Sequence, residues 1–343
     1  MRKIRLLIAL ATLGCASAVA PSFAQAPNNV AYVDPKGGTD SGTCGGQTTQ
    51  CLTLNQALAN LSAGGVVYIQ SGGVFPPVYL TTSVSINGPE DNSASILWSA
   101  TAPGCVGGAP GSCGLATANY AVEIAATSSN SVKLSHLAVN NGAGTNGAMK
   151  VGNAGNVRLN GMVLRGGTGT ISQILLVAPS TGTNFNMVIS GGDIGYSSSG
   201  GGVLMQPSGA TPVAFFMHNS EVNNAKFGVK LDATLMTAGT ISNAAIDASH
   251  LSSFSGAAFT ALATSGGSSH TLMSRSTILN AGAGAVNANG ANAIALLYQD
   301  VITGNQTGVN IANGATVFTF GNNDIFGNAI NVAGGALAST PQQ

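Results

Sequence analysis

The chain has 343 residues, 44% apolar and 6% charged, with 48 glycines, 12 prolines and equal numbers of acidic and basic side chains. So much apolar content with so little charge excludes a disordered acidic or basic tail. The lack of basic excess leaves nothing to neutralise a phosphate backbone, so nucleic acid is not expected as a partner.

The N-terminus reads as an export signal over residues 1–24. Met1-Arg-Lys-Ile-Arg5 is basic, Leu6 to Ala20 is apolar, and Ser22-Phe-Ala24 offers small residues for cleavage after Ala24. A cut after Ala26 would place Pro27 just beyond it. The apolar run is shorter than the roughly 20 residues of a spanning helix, so no transmembrane segment is expected after signal removal. Thr12-Leu-Gly-Cys15 carries the residue types of a lipoprotein attachment site with small and large residues out of the usual order. The expected location is periplasmic or extracellular. Cleavage takes three of the eleven basic residues, leaving eight against eleven acidic, a net of −3.

The mature chain keeps Cys44, Cys51, Cys105 and Cys113. In an exported protein the short spacings favour two disulfides, Cys44 to Cys51 and Cys105 to Cys113. Zinc is the competing reading, although no His lies near either pair.

Residues 25–65 form a cap region distinct from the remainder of the chain. Val30-Ala-Tyr-Val33 predicts a strand and Asp34-Pro-Lys-Gly-Gly38 a turn. Thr53-Leu-Asn-Gln56 has the form of a capping box, followed by Leu54, Ala57, Leu58 and Leu61 on one helical face and Gly64-Gly65 as the stop. An amphipathic helix here would close the end of a stack of strands.

Residues 66–335 repeat, leaving 336–343 as a tail. Val66-Val-Tyr-Ile69, Val78-Tyr-Leu80 and Val84-Ser-Ile86 predict consecutive short strands, and residues 98 to 118 interrupt the pattern as an inserted loop. Beyond it, apolar anchors recur at Val139, Leu164, Ile194, Val222, Ile246, Ile278, Val301 and Ile325, at intervals of 23 to 32 residues. Five residues before each stands another apolar residue: Leu134, Leu159, Ile189, Met217, Ile241, Met273, Leu296 and Phe320. The positions between the two carry Ser, Asn and Gly, which favour a tight turn. A third strand precedes each pair, as in Val122-Glu-Ile124, Met149-Lys-Val151, Val203-Leu-Met205, Val229-Lys-Leu231 and Val309-Asn-Ile311. A period of this size with three strands per turn implies stacked coils, a triangular parallel β-helix.

The opening motif resembles that of secreted bacterial right-handed parallel β-helix repeat proteins of the pectin-lyase-like superfamily. The resemblance is carried by Tyr32-Val-Asp-Pro-Lys-Gly-Gly-Thr-Asp40, the Cys44 to Cys51 pair, Thr53, Ala57-Leu58 and Gly64-Gly-Val-Val-Tyr-Ile69. It implies an all-β fold, a single-stranded right-handed parallel β-helix with three strands per coil and an N-terminal capping helix. It also implies an extended polysaccharide or a cell-surface component as partner.

Equivalent positions of successive coils stack about 4.8 Å apart, so columns in the alignment become columns in space. The column before the anchor reads Ala138, Val163, Asp193, Glu221, Ala245, Thr277, Asp300 and Asp324, and should face outward. Two carboxylate pairs, Asp193 with Glu221 and Asp300 with Asp324, thereby become candidate metal sites, with calcium the expected ion, or solvated turn residues. Arg165, one coil before Asp193, completes the best available catalytic trio of Asp193, Glu221 and Arg165 for a polysaccharide lyase. The Asp-Asp and Gly-His-Gly elements of β-helix polygalacturonases and the Asp-His pairing of typical pectate lyases are absent. Lys133 and Arg158 share another outward column and would greet an anionic glycan. That column continues as Val188, Phe216, Thr240, Leu272, Ala295 and Thr319, an apolar stripe covered by loops or by a partner. The sequence thus points to a noncatalytic exported scaffold that binds carbohydrate or another surface component, with a polysaccharide lyase and an adhesive structural protein as the alternatives.

Overall fold

The computed structural model describes residues 28–98, 120–142, 146–167 and 173–340. The expected signal segment and the Cys105 to Cys113 pair lie outside the described residues. Within them the strands form three parallel sheets of 12, 10 and 10 strands. The chain visits the sheets in rotation: Ser131–Ser135, Ala138–Asn140 and Met149–Val151 make one coil, and Asn156–Asn160, Val163–Gly167 and Gln173–Val177 the next. Each strand pairs in parallel with its equivalents in the coils before and after. The fold is therefore the expected all-β parallel β-helix with three strands per coil.

Alternation along each strand fills the interior. In the first sheet one inward column runs Val132, Val157, Met187, Phe215, Ala244, Thr271, Ala295, Val317, in register throughout and buried throughout. Thr271, the polar member, donates its hydroxyl to the carbonyl of Ile294 at 3.1 Å, so its burial leaves no unmet donor. Phe215, Met217 and Val222 are core, as their spacing predicts.

Three coils are framed differently from the sequence reading, the last of them in its first-sheet strand, where Thr319 and not Phe320 lies opposite Leu297. The second-sheet partner of Val222 is Leu251, and that of Ile278 is Ile302. Ile246 lies instead in the first sheet opposite Met217. The connection from Asp232 to Ile241 is long enough to displace the pattern. At Val301-Ile302 two adjacent apolar residues offer either frame, and the one-residue choice moves every neighbour to the opposite face. Asp300 is thereby taken out of the outward column.

The N-terminal helix spans Leu54–Ala59 and buries Leu54, Ala57 and Leu58. Thr53 Oγ1 accepts from the Gln56 amide at 3.2 Å, which is half of a capping box. The other half is absent because the Thr53 amide donates to Asp40 Oδ1 at 2.9 Å, and Gln56 turns to Asn60. Asn60 caps the helix and anchors to the carbonyls of Ser41 and Cys44, so Leu61 already begins the strand Leu61–Ile69 and Gly64-Gly65 lies within it. Cys44 and Cys51 form a disulfide with their Cα atoms 5.0 Å apart, which leaves neither sulfur as a thiolate for zinc. Within the described residues no helix is long and apolar enough to cross a membrane.

The three corners differ. The second and third sheets are joined by connections of varying length, as are the third and first, but in the seven coils from Ser131–Ser135 to Ala293–Tyr298 the first and second meet through two residues. The first of these takes φ near +50° to +60°, as at His136, Gly161, Gly191, Asn219, Ala248, Arg275 and Gln299. The second turns inward and forms a ladder. Ser220, Ser249, Ser276, Asp300 and Asn323 each accept, through a side-chain oxygen, the backbone N–H of the equivalent residue one coil earlier, at 2.8 to 3.2 Å. The three serines also donate to the carbonyl two residues back.

Asp300 occupies a place built for a hydroxyl. It is 1% exposed and accepts from the amides of Ser276 and Tyr298. Burial pushes its carboxyl up to about 7, against the pull of those two donors. Because this lies above the ordinary value of about 3.9, folding takes up a proton between roughly pH 4 and 7, and stability falls as pH rises through that interval. Asp300→Ser restores the hydroxyl of the neighbouring rungs. Its melting temperature, measured from pH 4 to 8, should gain on the wild type with rising pH, reaching ~2–4 kcal/mol at pH 8. Parallel pH profiles for the two proteins would show that Asp300 keeps an ordinary acidity.

Candidate functional site

The outer face of the second sheet carries the predicted trio. Val163, Asp193, Glu221 and His250 lie in register, so the two carboxylates are neighbours across adjacent coils, with His250 as an unforeseen next rung. Arg165 meets Asp193 through both carboxylate oxygens and also donates to the carbonyl of Asp193 at 3.1 Å. One face of its guanidinium lies over the Tyr196 ring, 4.8 Å from the centroid. Glu221 Oε1 accepts from Asn223 Nδ2 at 2.6 Å. The structure thus brings Arg165 and Asp193 into a fork-to-fork ion pair and leaves Glu221 to a separate partner.

Asp300 and Asp324 do not pair as expected. The residue in register with Asp324 is Val301, and Asp300 is sealed in the corner ladder. A calcium ion takes six to eight oxygens from converging ligands. Here one carboxylate of the first pair is already matched by a guanidinium, and the second pair is split between the interior and the surface. These residues do not fit that ion.

On the third sheet Glu123 and Lys150 are in register and bridged at 2.8 Å. Lys230 bridges Asp232 at 3.0 Å. Burial opposes the Asp232 charge, but Thr234 and Lys230 outweigh it and hold the carboxyl below its ordinary range.

The first sheet differs most from the expected surface. Lys133 and Arg158 stack in register and are exposed, with no ion-pair partner among the described residues. Their column continues as Val188, Phe216, Ala245, Leu272, Leu296 and Phe318. Ala245, Leu296 and Phe318 replace the expected Thr240, Ala295 and Thr319, which makes the stripe more apolar. Phe216 is 38% exposed and stacks on His218 at 5.3 Å.

At its C-terminal half the stripe becomes a groove of about 480 Å³ lined by Leu272, Ser274, Arg275, Leu296, Tyr298, Gln299 and Phe320. Tyr298 and Phe320 meet edge to face at 5.5 Å. Arg275, from the positive-φ corner position, reaches back one coil and grips both oxygens of Asp247. This hydrogen bonding holds the Asp247 carboxyl below, and the Arg275 guanidinium above, their ordinary ranges. Tyr298, Phe320, Arg275 and Asp247 were missed as site residues. The frame shift at Val301-Ile302 obscured the place of Tyr298, whereas Arg275 sits at the corner of a coil that the sequence frames correctly.

An apolar floor with a few fixed polar groups is the usual composition of a ligand site. Arg275 and Tyr298 are the titratable side chains that line the groove, and Arg275 is engaged by Asp247. Asp300, the side chain near it whose pKa is strongly raised, lies beneath the surface and cannot contact a ligand.

No family model matches the chain, and no curated protein does. Among solved structures it is similar to a crystal structure of pectate lyase Pel9A, with a TM-score of 0.49 and 10% identity, over 88% of this chain and 79% of that one.

The ion pair that disarms Asp193 can be removed. Arg165→Ala should cost about 0.5–1 kcal/mol, the range of a part-exposed pair. It also leaves Asp193 and Glu221 as unneutralised neighbours. Millimolar calcium should then raise the melting temperature of the variant and leave that of the wild type unchanged. An equal rise in the wild type would show that its carboxylates are free to take the ion.

Proposed function

We propose that the protein is an exported, noncatalytic β-helix scaffold that binds an extended carbohydrate along the outer face of its first sheet. The observation that carries this reading is the groove at Leu272, Leu296, Tyr298 and Phe320, rimmed by Arg275, Ser274 and Gln299. Aromatic and aliphatic faces suit the apolar faces of sugar rings, and the rim supplies donors and acceptors for hydroxyls. From Phe216 to Phe318 the stripe crosses five coils, roughly 19 Å at one strand spacing per coil, which suits a linear ligand better than a small metabolite. The disulfide between Cys44 and Cys51 supports an oxidising compartment.

Binding in the absence of turnover is the expected result with a panel of neutral and uronate-containing polysaccharides. Retention on the immobilised glycan would be measured alongside unsaturated product by absorbance and new reducing ends. Tyr298→Ala and Phe320→Ala should each weaken retention about tenfold, equivalent to ~1.4 kcal/mol. Turnover by the wild type would overturn the noncatalytic role. Retention indifferent to both substitutions would remove the groove from the binding surface.

A further inference from the structure

The bend near the C-terminal end of the second-sheet strands contains one residue that the fold itself does not call for. Tyr196, Asn224, Ser253, Asn280, Gly304 and Gly327 occupy equivalent places there, with φ between +47° and +67°. Asn and Gly adopt this left-handed conformation readily, and Ser is small. A tyrosine does so under strain, and strained residues cluster at ligand sites.

Burial does not compensate Tyr196, which is 58% exposed. Its orientation is nevertheless fixed. Arg165 covers one face of the ring, and is itself held by both oxygens of Asp193 and by the carbonyls of Leu164 and Asp193. The residue in register above Arg165 is Gly195, which puts no side chain in its way. Asparagine fills the next place in that column, and a Cβ at Gly195 would come within 2.3 Å of Asn223 Oδ1. The arrangement is a rigid aromatic plate, backed on one side and open on the other.

We propose that Tyr196 is a stacking platform for a neutral saccharide, a second sugar-contact point on the second sheet, separate from the groove. The open ring face suits the apolar C–H face of a pyranose. On the following coil Glu221 and Asn224 are exposed, and one amide hydrogen of Asn224 is spent on Asn223. Glu221 uses one oxygen on Asn223, which leaves its other as an acceptor for a sugar hydroxyl. Charges in this neighbourhood cancel: Arg165 is matched by Asp193, and the acidic Glu221 is followed on the same turn by the exposed Lys226. An uncharged ligand is therefore the complementary one.

The test uses cellohexaose, mannohexaose, xylohexaose and hexagalacturonate as probes, followed by saturation-transfer NMR, with Tyr196→Asn compared against its parent in a Tyr298→Ala/Phe320→Ala background, so that residual groove binding is the same in both. At least one neutral hexasaccharide should bind. Tyr196→Asn should weaken that binding about tenfold without lowering the melting temperature, since asparagine relieves the backbone. Tyr196→Phe should retain it. Failure of every neutral probe to bind, binding of the uronate alone, or unchanged binding by Tyr196→Asn would each overturn the proposal. So would a fall in melting temperature beyond about 3 °C in Tyr196→Asn, which would make the ring structural. Loss of groove binding in Tyr298→Ala is read separately and does not enter these outcomes.

Discussion

The register between coils is the constraint on which everything else in this molecule depends, and the corner ladder is what holds it between the first two sheets. Backbone pairing alone between parallel strands would tolerate a slip. A side-chain oxygen at Ser220, Ser249, Ser276, Asp300 or Asn323, aimed at the N–H one coil earlier, does not, because a slip would leave a buried donor without a partner. The residue before Ser220, Ser249, Ser276 and Asp300 adopts positive φ, which permits a two-residue corner. With that corner fixed, a column in the sequence becomes a column on the surface. The groove, the apolar stripe and the Asp193 ion pair are consequences of which residues fall in each column.

Much of this is legible in the sequence because apolar alternation and Ser, Asn and Gly at corners are local signals. Met217 and Val222 read correctly as core, and Phe216 and Glu221 as outward. Three coils are misframed for a common reason: alternation has a period of two residues and carries no information about the length of the adjoining connection. Ile246 satisfies the pattern of an anchor while lying on the first sheet, and Val301-Ile302 presents two apolar residues side by side. Only pairing with adjacent coils decides between the frames. The ladder offers a second signal, since Ser220, Ser249 and Ser276 mark the corner independently of the hydrophobic pattern and place Asp300 in the same column.

The candidate site is less legible than the fold. Sequence columns put Asp193 beside Glu221 and Arg165 one coil away, and the structure agrees with those adjacencies. Columns do not report what a long side chain does once it leaves the backbone. Arg165 lies flat between a carboxylate and a tyrosine ring, so the group that looks most available for chemistry is the most fully engaged. The aromatic groove is hidden for a different reason. Tyr298 and Phe320 lie 22 residues apart in the sequence, and they converge only through the pairing of successive coils.

A repeat fold of this kind separates two demands that globular enzymes must reconcile. The interior columns and the ladder secure the coil, and the outward positions are left free of structural duty. Charge on those positions is sparse and largely matched in pairs, as at Arg165 with Asp193, Glu123 with Lys150, Lys230 with Asp232 and Arg275 with Asp247. Matched pairs on a surface contribute little stability, but they orient side chains and cancel long-range fields. Arg275 and Arg165 both stand beside an aromatic group, Tyr298 in the groove and Tyr196 at the bend of the second sheet. In both places an arginine is steadied by an aspartate one strand away, and the aromatic surface beside it stays open to solvent. Such a surface attracts by contact and hydrogen bonding, with no net charge to favour an ion, and it extends along the coil axis as far as the register repeats.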